Sequence, residues 1–281
     1  MVNAFFNKGA RCVIGYEKTV GTEANYIMIE EFCRAIGAGY TIQNALAYAD
    51  TRVLSRYGST GGTNYRLVRG DTSAKFRNVT QLLSSLPTEN VYDNKLTNAS
   101  EIVYFHNGEG ICGFFDPSKL DDMKLNQNNE KTTANNFSQR EIADNYLKSQ
   151  IEDSDKYQLI DSYHTEDSGL TAYIYSRKIY GVNTWDTVCI FINRNNEIVS
   201  YSAPRIGALD DFAVKAEDLN NADIKLQDKM QELGIFNYEV TEKMLILEDN
   251  LPATRYSVLH ILYDEDVEYS SIDDYVIILN D

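Results

Sequence analysis

Side chains able to do chemistry are few in this chain and widely spaced. It holds three histidines, His106, His164 and His260, and four cysteines, Cys12, Cys33, Cys112 and Cys189. Only His106 and Cys112 lie close together. A thiol nucleophile needs a base within hydrogen-bond reach, so this pair is the one candidate for a cysteine-peptidase dyad. The two residues flank Asn107-Gly108, a pair suited to positive φ, between the apolar runs Ile102-Val103-Tyr104-Phe105 and Ile111-Cys112-Gly113-Phe114-Phe115. If the hairpin has a two- or four-residue loop, strand alternation sends His106 and Cys112 to opposite faces, and only an odd loop joins them. No residue is therefore assigned a catalytic, cofactor-binding or metal-ligating role.

The remaining reactive groups read as structural. The cysteines lack zinc-site spacing and sit among apolar residues, as small core residues do, with room for one incidental disulfide. Asp264, Glu265, Asp266, Glu268, Asp273 and Asp274 crowd the C-terminus, but their order matches no calcium loop and reads as a solvated acidic face. Gly58-x-x-Gly61-Gly62 lacks the Lys-Ser/Thr ending of a phosphate cradle and leads into a strand. Trp185, at the mouth of a strand, reads as a cover for a sheet edge. Tyr173, Tyr175, Tyr180 and Tyr201 offer a sugar- or peptide-binding face, although alternation makes half of them packing residues.

The elements that must carry these residues follow from composition and pattern. At 281 residues and 43% apolar content the chain can fill the cores of about two domains. Twenty Tyr and 11 Phe against one Trp and four Pro favour strands and polar turns, hence a β-rich α+β fold. A net charge of -16 repels phosphate backbones and anionic lipid surfaces, which argues against nucleic acid as a partner. No stretch is apolar enough to span a bilayer, and the N-terminus lacks the order of a signal peptide, a reading that taken literally leaves the chain in the cytoplasm.

Along the chain, Arg11 to Tyr16 suits a buried central strand, as if lifted from mid-domain with something missing upstream. A turn at Thr19 to Thr22 leads to a helix with Ile27, Ile29, Phe32, Cys33 and Ile36, closed by Gly37 and Gly39. Thr41 can cap a second helix that presents Ala45, Leu46 and Ala49, and Asn64 to Arg69 reads as a strand. Polar residues 116–137 form a linker and the main boundary. Ser138-x-x-Glu141 reads as a capping box opening a helix with Ile142, Tyr146, Leu147 and Ile151. Strands are expected at 157–163, 170–177, 187–192 and, past an Asn195-Asn196 turn, 198–201. A helix with Leu226, Met230 and Leu233 follows, then strands at 236–240, 244–247, 255–263 and 275–279. Helix-then-meander thus occurs twice, and a helix on each sheet buries the apolar face of both.

Gly9-Ala10-x-x-x-Ile14-Gly15-Tyr16, the helix with Phe32, Gly39-x-Thr41-Ile42-x-x-Ala45 and Arg69-Gly70-Asp71 together resemble the last strand and helices of caspase-like cysteine peptidase domains of the gingipain and clostripain kind. The resemblance covers residues 5–75 and departs from the usual pattern at Tyr16 and Thr72, where Trp and Pro are common. It implies a fold fragment without an active site, because that family carries its catalytic His and Cys on earlier strands. It also implies origin in a longer secreted or cell-surface precursor. Residues 138–281 resemble tandem PepSY-type or cystatin-like modules, which bind or restrain other proteins and carry no catalytic residues.

The expectation is an α+β protein with four parts. Residues 1–75 form a partial caspase-like α/β segment and 76–130 a hairpin-bearing connector. Residues 138–205 and 217–281 form two helix-on-antiparallel-sheet modules. Its function is expected to be non-catalytic binding or regulation with a protein or peptide partner, and no cofactor, nucleic acid or membrane insertion is expected. The alternatives are a cysteine peptidase using His106 and Cys112, and a propeptide-like inhibitor of a partner peptidase.

Overall fold

A computed structural model describes residues 4, 7–75, 101–108, 110–120, 136–165, 168–264 and 267–279. The protein is mixed α+β, and the described residues hold four α-helices, a two-stranded ribbon and a nine-stranded mixed sheet.

The N-terminal part is a pair of helices with a ribbon. Strand β1 (Cys12–Tyr16) leads into α1 (Thr22–Gly37), α2 (Ile42–Tyr57) and β2 (Arg66–Gly70). Thr41 caps α2 by accepting the Asn44 amide at 3.2 Å, and Gly58, at φ +80°, ends it in the left-handed region that glycine enters freely. Fourteen residues of α2 are buried, because the helix lies between α1 and the large sheet. Its polar residues therefore need partners. Glu31 on α1 meets Arg56 at 2.7 Å and Arg34 at 3.4 Å, while Arg66 on β2 grips both oxygens of Asp50 at 2.7 and 2.9 Å. The expected central strand is corrected here. Among the described strands β1 pairs only with β2, antiparallel, and none of its residues is buried, Ile14 being 36% exposed.

The large sheet grows outward from a long strand, β7. Hairpin β3 (Val103–Asn107) and β4 (Gly110–Phe115) comes first, then α3 (Asn136–Gln150), β5 (Tyr157–Thr165), β6 (Leu170–Ile179), β7 (Val182–Ile192) and β8 (Ile198–Ser202). One edge of β7 pairs with β6, which pairs with β5, and the other edge pairs with β8, which pairs with β4 and so with β3. The hairpin read as a connector is therefore hydrogen-bonded into the sheet of residues 157–202. At that junction a Cβ on Gly113 would stand 2.2 Å from the Tyr201 carbonyl oxygen, so only glycine lets β4 approach β8. Alternation sorts the two faces. Leu170, Ala172, Ile174, Cys189 and Phe191 join Phe105 and Phe115 under α1 and α2, whereas Tyr173, Tyr175, Val188, Ile190 and Ile192 pack under α3. Both faces being covered explains the unbroken apolar run of residues 188–192.

The last part is α4 (Ala216–Glu232) over β9 (Tyr238–Glu248), β10 (Leu251–Asp264) and β11 (Val267–Ile278). Leu219, Ala222, Leu226 and Met230 face Leu245, Tyr256, Val258 and Ile277. Three expectations are corrected. The strands read at 236–240 and 244–247 are one strand; Asp264, Glu268, Asp273 and Asp274 of the acidic stretch lie on β10 and β11, Glu265 and Asp266 falling outside the described residues; and α3 begins at Asn136, which leaves Ser138 inside the helix instead of capping it. Strand β9 joins the rest of the sheet through a short parallel contact, Asn183↔Met244 and Thr184↔Leu245 on β7.

Candidate binding groove

The structure separates the two residues of the candidate dyad. Asn107 pairs with Gly110 and works as a clasp: its Oδ1 accepts the Gly110 amide at 3.0 Å and its Nδ2 donates to the Pro204 carbonyl at 3.0 Å. His106 opposes Ile111 and is exposed. Cys112 is the extra residue of a β-bulge and is buried in the core under α1 and α2, where burial pushes its thiol pKa up. A histidine in solvent and a protonated thiol in the core form no nucleophile, and the cysteine-peptidase reading of His106 and Cys112 is corrected accordingly.

The other singled-out residues are also dispersed. All four cysteines are free, and burial raises the thiol of Cys189 to about 12. His164 is exposed and meets Thr171 Oγ1 at 3.2 Å, whereas His260 is buried and stacks on Tyr275 with ring centroids 5.8 Å apart. Trp185 lies between the two core clusters of the C-terminal part with the Arg205 guanidinium 4.4 Å over its ring. Tyr173, Tyr175 and Tyr201 are buried under α3 and only Tyr180 is exposed, so these four tyrosines form no common ligand face. The loop at Gly58 leads through a single 3-10 turn into β2. Among the described residues no group of His, Cys, Asp and Glu is placed to hold a metal ion, and no helix is long and apolar enough to cross a membrane.

What sequence reasoning missed is a groove at the edge of the large sheet. Among the described strands β5 pairs only with β6, so its outer edge presents backbone N–H and C=O groups. Beside that edge, α3 and β5 enclose a cleft of about 570 Å3, within the range of roughly 300–1,000 Å3 usual for binding clefts. Leu147 from α3 and Leu159 from β5 supply apolar lining, and Tyr175 stands at its base. The Tyr175 hydroxyl donates to Asp144 Oδ1 at 2.7 Å, and Arg140 Nε spans both Asp144 oxygens at 2.9 Å, which ties the helix to the floor. Burial, with the Asp144 bond second, pushes the Tyr175 hydroxyl far above its ordinary range, so it remains a donor.

Two features fix the geometry of that edge. Tyr157, at the start of β5, donates its hydroxyl to Asp186 Oδ1 on β7 at 2.6 Å, while the Gly207 amide donates to Asp186 Oδ2 at 2.9 Å. Asp186 has no exposed surface, and burial raises its carboxyl. A register shift between Leu159 and Asp161 then bends β5, so the stretch beside the groove is straight only over Tyr157–Leu159. Exposed Lys148 on the helical wall and exposed Asp155 on the 3-10 turn that precedes β5 add a charge of each sign at the rim to the Arg140–Asp144 pair. No sequence motif marks this site, because it exists only where a helix and a strand edge from one module lie side by side. At the opposite edge of the sheet Ile102, Tyr104 and Ile111 are 45%, 49% and 65% exposed, a second apolar strip.

No protein-family model matches the chain, and no curated protein matches it. Among solved structures the Bacillus megaterium YpeB C-terminal domain aligns at a TM-score of 0.31 and 13% identity, covering 64% of this chain and 76% of that one. So loose a superposition leaves fold and function to be argued from the chain's own residues. The comparisons return nothing caspase-like for residues 5–75.

Proposed function

We propose that this is a non-catalytic binding protein whose partner is a protein or peptide, and that the α3–β5 groove takes an extended segment of that partner. The observation that carries the reading is the open cleft between a helix and a strand edge that no other described strand pairs, with Leu147, Leu159 and the Tyr175 ring set in an otherwise largely polar lining. A strand laid against Tyr157–Leu159 gains main-chain hydrogen bonds from the edge and directs alternate side chains into the cleft. Leu147, Leu159 and the ring of Tyr175 favour an apolar side chain there, and the rim charges of Lys148 and Asp155 orient what lies on either side.

A phage-displayed library of random peptides panned on the full chain tests this. The expected result is a family of binders with an apolar residue at one fixed position, whose affinity falls at least tenfold on Leu159→Lys and is unchanged on Ile111→Lys. Peptides that lose affinity on Ile111→Lys instead would move the site to the β3 edge and end the groove assignment. Turnover of the selected peptides by the purified chain would end the non-catalytic reading.

A further inference from the structure

We infer that the outer edge of β11 is a strand-acceptor site, where an extended cationic segment of a partner protein takes the place beside β11 and α4 that β8 holds beside β7 and α3. The chain builds the same unit twice. Ala143, Leu147 and Ile151 of α3 are buried on their sheet, and Ala222, Leu226 and Met230 of α4 are buried on theirs at the same spacing. Asp144, next to Ala143, accepts the Tyr175 hydroxyl from β6 at 2.7 Å, and Asp223, next to Ala222, accepts the Tyr256 hydroxyl from β10 at 2.7 Å. Each helix thus lies over a three-stranded antiparallel meander, β5–β6–β7 or β9–β10–β11, and β11 stands where β7 does.

The two units differ at one edge. Strand β8 pairs with β7 from Cys189↔Ser202 to Ile192↔Ile198, and the Tyr201 ring that it supplies meets Tyr146 of α3 with centroids 5.5 Å apart. Among the described strands β11 pairs only with β10, so its outer edge has no counterpart of β8. On α4 the position of Tyr146 is held by Lys225. That flank encloses a cleft of about 560 Å3 with Asn221, Ala222 and Ile224, and with Ile278 and Leu279 at the end of β11. A strand added to β11 directs alternate side chains toward α4, so one of them enters the cleft as Tyr201 enters the space beside α3. Ala222, Ile224 and Leu279 suit an apolar or aromatic side chain there. Charge selects among such segments. Residues 216–281 hold 16 of the 42 acidic residues and four of the 26 basic ones, which places a net charge of -12, out of -16, on this unit. A segment bearing Lys or Arg is drawn to that field, and an acidic one, a second copy of this chain included, is repelled.

A capped, labelled peptide that sets the five residues of β8 between lysines, Lys-Lys-Ile-Val-Ser-Tyr-Ser-Lys-Lys, tests the site on the full chain by fluorescence anisotropy and amide hydrogen exchange. It should bind with a Kd below about 1 mM and, at saturation, slow the exchange of alternate amides over residues 267–278 about tenfold. Ile224→Lys changes a side chain that is 56% exposed and so spares the fold; it should weaken binding about tenfold, as should glutamates in place of the flanking lysines. Leu159→Lys, in the α3–β5 groove, should leave binding unchanged. Binding lost on Leu159→Lys and kept on Ile224→Lys would seat the peptide in that groove, overturning this inference while leaving the groove reading intact. Equal binding of the glutamate-flanked peptide, or no slowing in β11, would also overturn it. So would protection of β11 that grows with protein concentration alone, which assigns the edge to a second copy.

Discussion

The Asp50–Arg66 pair offers the sharpest test of how the N-terminal helices are held. Both side chains are 2% exposed, and the guanidinium grips both carboxylate oxygens at 2.7 and 2.9 Å. Asp50→Ala removes one partner and leaves a cation in the core between α2 and β2, with Met28 Sδ 4.0 Å from Arg66 Nη1. Breaking a buried pair from one side costs about 3–5 kcal/mol, against a total stability of about 5–15 kcal/mol. With a urea dependence near 3 kcal/mol per molar, the unfolding midpoint should fall by about 1 M or more. Replacing the pair together, as Asp50→Leu with Arg66→Met, should recover most of that loss, because the cost lies in the uncompensated charge and not in the missing attraction. Equilibrium urea unfolding followed by tyrosine fluorescence and circular dichroism measures all three proteins. A single-variant loss below about 1 kcal/mol, or a double variant no better than Asp50→Ala, would refute the reasoning.

Two further outcomes follow from positions described above. Gly113→Ala should force β4 away from Tyr201 and cost about 2 kcal/mol or more, with faster amide exchange confined to residues 103–115; an unchanged exchange pattern would contradict the close approach. Asp186 has its carboxyl raised by burial, so its contribution to stability is present below the ordinary aspartate range and lost as pH rises through the raised value. The melting temperature should therefore lose an Asp186-dependent gain as pH rises from the ordinary aspartate range toward 7, and Asp186→Asn should flatten that slope, an equal slope in both proteins being the contrary result.

Most of the local elements were legible in the sequence, because period and turn chemistry act over a few residues. The strands beginning at Tyr157 and Leu170, and the turn in which Asn196 adopts φ +65°, stand where pattern places them. The readings that failed depend on distant partners. Strand β9 looked like two strands because Thr241, Glu242 and Lys243 break its apolar run, yet Thr241 donates to the Ser257 carbonyl and Lys243 reaches Asp223 on α4. The acidic stretch looked solvated, but Asp274 takes the hydroxyl of Tyr57, 217 residues earlier in the chain. Likewise the tyrosines of β6 gave their alternation away but not the helix that covers them. The groove left no trace in composition or spacing, since neither Leu147 nor Leu159 is unusual until α3 lies beside the edge of β5.

That β7 touches both halves of the molecule has a consequence for biosynthesis. Apart from the two-pair contact of β7 with β9, strands β3 to β8 pair among themselves, so a nascent chain that has cleared the ribosome as far as Ser202 already carries every other strand partner of those six. The β9–β11 hairpins arrive later and dock on a platform that is already built. Assembly in the order of translation spares the chain a long search for its most distant contacts.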